Sequence, residues 1–259
     1  MRIIGIIPAR MESSRYPGKP LAKIHGIPMV GHCYLRSKMC PLLDEVYVAT
    51  CNQEVVDYMS AIGGIGIMTA NTHERASDRA AEAMLKAEQL SGKKTDVVVM
   101  IQGDEPMLTP EMLAQAVAPM REDPSIQVLN LVGDIETRED HEDPNEVKVV
   151  VAKNGDALYF SREPIPSWKK GAKSLPMKKQ ICIIPFRRDY LLTFNSLPQT
   201  PLEIAESIDM LRVLEHGGRV RMVPTTVQTY SVDTPEDLRD VEEAMRNDAL
   251  MARYAHLRR

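Results

Sequence analysis

The sequence predicts an α/β protein with a mostly parallel sheet and a small antiparallel lobe. Three observations carry that reading. Short apolar runs alternate with amphipathic segments up to about residue 121, the rhythm of βα units built on a parallel sheet. The rhythm then changes to paired strand signals around the turn Lys153-Asn154-Gly155-Asp156, a hairpin signature. The chain has 259 residues, 44% of them hydrophobic, enough for one large α/β domain with a sizeable core.

In order, residues 3–7 form a short apolar run closed by Pro8, and such a run reads as a buried strand. A helix is expected over 30–40, a strand over 45–50, a helix over 53–61 and a short strand over 66–68. A helix over 77–90 opens with Ser77 and Asp78, and the run 96–102 is a strand followed by a helix over 110–121. Segments 147–152 and 157–160 pair as the hairpin, and a proline- and lysine-rich stretch follows over 164–179. A strand over 181–186, a helix over 201–216 ended by Gly217-Gly218, a strand over 220–225 and a helix from Pro235 complete the chain. The arginine-bearing stretch 247–259 reads as a frayed helix end. No repeat and no long linker divides the chain. It therefore reads as a single domain over 1–259 with an inserted lobe at about 143–190, which covers an acceptor or forms a dimer contact.

Net charge is −4, which gives no global attraction to nucleic acid or to an anionic membrane. Cys33, Cys40, Cys51 and Cys182 form no C-x-x-C pair and read as reduced thiols of a cytoplasmic protein. The first apolar run is too short for the core of a signal peptide, and no run approaches the length of a membrane span.

The cations are concentrated in one place. Arg10, Arg15 and Lys19 follow the first strand, together with Ser13, Ser14 and the turn Pro17-Gly18. A loop at the carboxyl end of a first strand is where an α/β sheet binds phosphates. Arg presents a planar fork to two oxygens and Lys a point charge. A solvated basic loop is the plain alternative, but it does not explain the position directly after the strand. A Walker loop is excluded, because Ser13 and Pro20 stand where Gly and Ser or Thr are needed, and the dinucleotide fingerprint G-x-G-x-x-G is absent from this turn.

Two carboxylates complete the pattern. Asp104, in Gln102-Gly103-Asp104, follows the apolar run 97–101, and Asp233 precedes Thr234-Pro235. Carboxylates beside a phosphate loop repel the ligand unless a hard cation lies between them, and Mg²⁺ takes one or two carboxylates plus phosphate oxygens. Asp233 reads alternatively as a helix N-cap, although Thr234 with Pro235 fits that cap at least as well. Arg79 stands in the first turn of a helix, where the macrodipole disfavours a cation unless an anion is its partner; a salt bridge to Asp78 or Glu82 is the alternative. Arg162 has a similar alternative in Glu163. His73 is equally readable as structural or as ligand-binding.

These segments, with MTANTHERASDR at 68–79, IQGDEPM at 101–107, DPNEVKVV at 143–150, ALYFSREPIP at 157–166, PLE at 201–203, MLRVLEHG at 210–217 and VDTPEDL at 232–238, resemble the 3-deoxy-manno-octulosonate (Kdo) cytidylyltransferases in order along nearly the whole chain. The resemblance implies a Rossmann-like nucleotide-diphospho-sugar transferase fold. It implies a nucleotidyltransferase that joins CTP to an acidic sugar and releases pyrophosphate, with Mg²⁺ as cofactor and a homodimer as the assembly. It assigns nucleotide binding to Pro8, Ala9, Arg10, Ser14, Arg15, Lys19 and Gln102, catalysis to Lys19, Asp104 and Arg15, and the metal to Asp104 and Asp233. The anionic acceptor would be held by Arg79, Arg162, Gln180, Asp209 and Met210.

The acceptor half departs from the family. Gln180, Cys182 and Ile184 stand where the family usually has His-x-Gly-x-Tyr, Asp209-Met210 where it has Glu-Gln, and Arg75-Ala76 where it has Ser-Gly. If these positions line the acceptor pocket, that pocket has lost hydroxyl-binding groups. Inefficient use of Kdo, or preference for another anionic acceptor such as a phosphonate, would follow. A non-catalytic nucleotide-binding protein is the reading from another class, and it would be marked by loss of Lys19, Asp104 or Asp233.

Overall fold

The computed structural model describes residues 1–12, 15–171 and 173–257. It divides into two compact units, 1–114 with 229–259, and 115–228.

The first unit begins with β1 (Ile3–Pro8), whose Ile3, Ile4, Ile6 and Ile7 are all buried. The hairpin β2 (Lys23–Ile24) and β3 (Ile27–Pro28) leads into α1 (Met29–Ser37), then β4 (Glu45–Thr50), α2 (Gln53–Ala61) and β5 (Gly66–Met68). Helix α3 (Ala76–Ser91), ended by left-handed Gly92, precedes β6 (Val97–Ile101), which is buried throughout, and α4 (Pro110–Glu122), which runs across the boundary between the units. Strands β6, β1, β4 and β5 lie side by side and parallel, with Gly5 opposite Val46 and Val99. All therefore point their carboxyl ends the same way, where parallel sheets build their sites.

The second unit holds β7 (Leu129–Asp134), α5 (Arg138–Glu142), β8 (Lys148–Val151), β9 (Ala157–Ser161), β10 (Lys178–Ile181), β11 (Ile183–Arg187), α6 (Arg188–Ser196), α7 (Pro201–Glu206), α8 (Met210–Glu215) and β12 (Arg221–Pro224). Its sheet order is β12-β7-β10-β8-β9, antiparallel except for the parallel β12–β7 pair. The hairpin strands foreseen over 147–152 and 157–160 thus share a sheet with β7, β10 and β12, and this unit is larger than the foreseen lobe. The chain returns to the first unit with α9 (Pro235–Ala244) and α10 (Ala249–Ala252).

Three expectations are corrected. The helix foreseen over 201–216 is two helices, because Ser207 adopts a left-handed φ of 53°. Its break is held from outside, as Arg162 Nε donates to Glu206 O at 2.7 Å. The strand foreseen over 181–186 divides at Cys182 into β10 and β11. The end of the chain is not frayed over its described part: Met251 and Tyr254 are buried, and the Tyr254 hydroxyl accepts from Arg36 Nε at 2.8 Å and bonds His32 Nδ1 at 2.9 Å.

Candidate active site

A hollow of about 360 Å³ opens in the first unit at the carboxyl ends of β1 and β6. Pro8, Ala9 and Arg10 continue β1 into its wall, and Gln102, Gly103 and Asp104 continue β6. Gly103 is required there, because a Cβ at that position would lie 2.8 Å from Pro8 O. The glycine lets the two strand ends approach, and so brings Asp104 to the phosphate loop.

That loop is shaped by Gly18, whose φ of 78° suits glycine. It turns the chain so that Lys19 leads a single helical turn, Lys19–Leu21. The Lys19 ammonium lies 2.7 Å from Asp104 Oδ2 and 3.2 Å from Asp233 Oδ1. Arg15 reaches Asp233 Oδ1 at 3.0 Å. One lysine therefore holds together two carboxylates that are far apart in sequence. Val232 N donates to Asp104 O at 2.9 Å and locks the two segments side by side.

Asp233 is not the helix cap. Thr234 caps α9 in a capping box with Asp237, Pro235 takes the first helical position, and Asp237 Oδ2 accepts from the amides of Asp233 and Thr234 at 2.8 Å each. The Asp233 carboxylate is thereby left to Lys19 and Arg15. Arg10 is exposed on the rim, and Gln102 lines the hollow with its amide unbonded among the described residues. Ser14 lies outside the described residues.

Arg79 belongs to this wall but is 3% exposed. It donates to Thr69 Oγ1 at 2.6 Å, Ala70 O at 3.2 Å and His73 O at 3.4 Å. Those bonds make it the fastener of the loop before α3, in place of the salt bridge to Asp78 or Glu82 weighed from sequence. Glu82 fastens the same loop, accepting from Ala70 N at 2.9 Å and bonding His73 Nε2 and Lys86. Burial pushes the Glu82 carboxyl up, but the bonds from Lys86, Ala70 and His73 outweigh it and hold it down at about 2. Sequence reasoning weighed Glu82 only as a partner of Arg79 and missed that it bonds Ala70, His73 and Lys86; Lys86, four residues on along the same helix, was the available signal.

The remaining acceptor candidates lie in the second unit. Arg162 donates to Pro144 O at 2.9 Å as well as to Glu206 O, while its backbone amide donates to Glu206 Oε2 at 2.8 Å. It bonds to these segments rather than forming the ion pair with Glu163. Gln180 Nε2 donates to Asn130 Oδ1 at 2.5 Å. Asp209 is half-buried at the start of α8. Met210 and Ile184 are 1% and 4% exposed, so both are core side chains with nothing to offer an acceptor. For these two positions the expectation that they line an acceptor pocket is corrected. The PLE motif proves structural: Glu203 is fully buried and takes both Nε and Nη2 of Arg212, at 2.8 and 2.6 Å. Lys148 of the DPNEVKVV segment is likewise buried and donates to Asp143 O at 2.6 Å.

No group of three or more His, Cys, Asp or Glu side chains suited to a metal occurs among the described residues. Asp104 and Asp233 form a two-carboxylate set, partly exposed and converging on one cation. Such a set fits Mg²⁺, whose remaining ligands would be phosphate oxygens and water. It does not fit a structural zinc site, which needs four N or S donors.

Parallel strand ends, a cationic loop and paired carboxylates define a class, the α/β nucleotide-binding proteins that work on phosphates. Comparison with known proteins narrows it. A family model described as Cytidylyltransferase matches residues 4–249. The 3-deoxy-manno-octulosonate cytidylyltransferase of Geobacter metallireducens is 42% identical over 255 residues, covering 95% of this chain and 98% of the relative. The protein of the same name from Nitratidesulfovibrio vulgaris is 45% identical over 237 residues, covering 90% and 92%. The solved structure of CMP:2-keto-3-deoxy-manno-octonic acid synthetase complexed with CTP superimposes with a TM-score of 0.88 at 39% identity, covering 95% of this chain and 98% of that one. The chain belongs to the 3-deoxy-manno-octulosonate cytidylyltransferase family.

Proposed function

We infer that this chain joins CTP to Kdo, giving CMP-Kdo and pyrophosphate. The observation that carries the reading is the Lys19 bridge between Asp104 and Asp233 at the mouth of a cationic loop, in a chain similar over 95% of its length to Kdo cytidylyltransferases. An acceptor oxygen attacks the α-phosphorus of CTP in line with the leaving pyrophosphate. Charge spreads over the phosphate oxygens, so catalysis is mainly positioning and electrostatic stabilisation. Arg10, Arg15 and Lys19 bind the triphosphate and hold its oxygens as that charge develops. Gln102 offers both a donor and an acceptor to a base or sugar edge. Arg79 and Glu82 act indirectly, by fixing the wall of the hollow.

Mg²⁺, held by Asp104 and Asp233, would supply Lewis-acid stabilisation of the phosphate oxygens. The reading further includes a cytoplasmic homodimer that needs neither nucleic acid nor membrane. Among the described residues no helix is long and apolar enough to cross a membrane. Leu158, 61% exposed on the outer strand β9, supports a protein contact there, and sedimentation velocity would report a dimer or a monomer.

The test of activity is pyrophosphate release from CTP and Mg²⁺ with and without Kdo, with CMP-Kdo identified by mass. Release that depends on Kdo is expected. Release independent of Kdo, or none at all, would overturn the reading.

A further inference from the structure

The second unit contains a hollow of about 270 Å³ that the chemistry above does not use, lined in part by Asp156, Tyr190, Gly218, Arg219 and Arg221. Arg221 is held in place within it. Its Nε donates to Asp156 Oδ1 at 2.8 Å. Asp156 is only 7% exposed and is fixed in turn by Asn154, whose Nδ2 donates to Asp156 Oδ2 at 3.0 Å and whose Oδ1 accepts from Asp156 N at 3.1 Å. One edge of the guanidinium is thereby anchored, and its two Nη groups make no hydrogen bond among the described residues. Arg219 is exposed and forms no ion pair among the described residues.

The third donor is the Tyr190 hydroxyl, also without a partner among the described residues. A Cβ at Gly218 would lie 2.9 Å from that oxygen, so the glycine keeps the space beside it open. The local charge favours an anion. Arg187 spends its donors on Ile126, Met120 and Asp123 carbonyl oxygens, and the Asp123 carboxylate is turned to Ser125 N and Oγ at 2.8 and 2.6 Å. In the lining itself Arg219 and Arg221 stand against the one carboxylate of Asp156.

We propose that this hollow is a second anion site, which takes the phosphate group of a small molecule. An arginine edge held from behind presents its fork to two oxygens, and Arg219 and Tyr190 supply donors for a third. A carboxylate has too few oxygens to use the set. The volume lies just under the range of about 300–1,000 Å³ typical of drug-sized ligands, which suits inorganic phosphate, pyrophosphate or a compact phosphate ester.

Hydrogen exchange read by mass spectrometry localises the binding. Orthophosphate, pyrophosphate and CMP are titrated separately against the full chain, with acetate at matched ionic strength as control. Saturable protection of peptides covering 186–192 and 216–222 is expected with the phosphates and not with acetate. Arg219→Ala should raise the midpoint at those peptides by at least about tenfold, a loss of one charged donor pair. Peptides covering 8–20 report the nucleotide hollow of the first unit, and the midpoint of their protection by each ligand should be the same in Arg219→Ala as in the unaltered protein. Arg219 has no internal bond to lose, so folding is preserved. Protection by all three ligands assigns the phosphate group alone, whereas protection by CMP only assigns a nucleotide. No protection up to about 10 mM, weaker than any useful metabolite affinity, would overturn the proposal. So would equal protection by acetate, or an unchanged midpoint in Arg219→Ala.

Discussion

Replacing Lys19 by Met should weaken turnover while strengthening divalent-cation binding in the absence of nucleotide. Lys19 Nζ lies 2.7 Å from Asp104 Oδ2 and 3.2 Å from Asp233 Oδ1, and so stands against the carboxylates that Mg²⁺ would need. Unit charges 4 Å apart interact by about 1 kcal/mol in water and about 4 kcal/mol near a protein surface. Both carboxylates are 27% exposed, so solvent screening places the effect toward the lower end, at about 1–2 kcal/mol. Removing the ammonium should tighten Mg²⁺ or Mn²⁺ by roughly tenfold, as 1.4 kcal/mol is a factor of ten. Turnover should nevertheless fall by about 10²–10³, the usual cost of losing one preorganised charge at a transition state. Calorimetric titration of Mn²⁺ into the nucleotide-free protein reads the first effect, and pyrophosphate release at saturating CTP the second. Cation affinity unchanged or weakened in Lys19→Met would refute the assignment of Asp104 and Asp233 as a metal pair. Undiminished turnover would refute the phosphate role.

Other perturbations follow from the same geometry. Glu203→Gln removes the charge that pairs with Arg212 in a buried, bidentate contact, and should destabilise the fold by about 3–5 kcal/mol in a urea melt. Tyr254→Phe leaves Arg36 Nε and His32 Nδ1 without their partner and should cost about 1–3 kcal/mol in the same assay. His32 is held neutral, since burial pulls its imidazole down to about 4 despite a bond to Ile24 O. The unfolded chain binds a proton there first, so stability should fall as pH drops from about 6.5 to 4, by roughly 3 kcal/mol; His32→Gln should flatten that part of the profile. Gly103→Ala forces a methyl against Pro8 O and should suppress kcat by displacing Asp104, with chemical denaturation checking that the protein remains folded.

The nucleotide side of the site was legible because its signals are local. A strand, a Pro-Gly turn and the cations Arg10, Arg15 and Lys19 lie within the first nineteen residues, and Asp104 closely follows an apolar run. Thr234-Pro235 signals a cap at Thr234 at least as well as one at Asp233, and the structure places the cap at Thr234. What escaped the sequence depends on distant partners. The bonds of Arg79 to Thr69 and Ala70 come from the segment before its helix, and its place in the first helical turn does not reveal them. Met210 and Ile184 look like pocket substitutions, but burial decides their role. The break at Ser207 follows from Arg162, whose side chain meets Glu206 O from another strand. Helical periodicity over 201–216 carries no trace of that contact.

The most direct test of the central claim is kcat/KM for Kdo against other 2-keto-3-deoxy acids, amino analogues of Kdo and simple phosphonates, with CTP and Mg²⁺ saturating. The highest value is expected for Kdo, because the chain is 42% identical over 95% of its length to a Kdo cytidylyltransferase and Ile184 and Met210 are core side chains. A phosphonate or another acid turned over more efficiently than Kdo would contradict it.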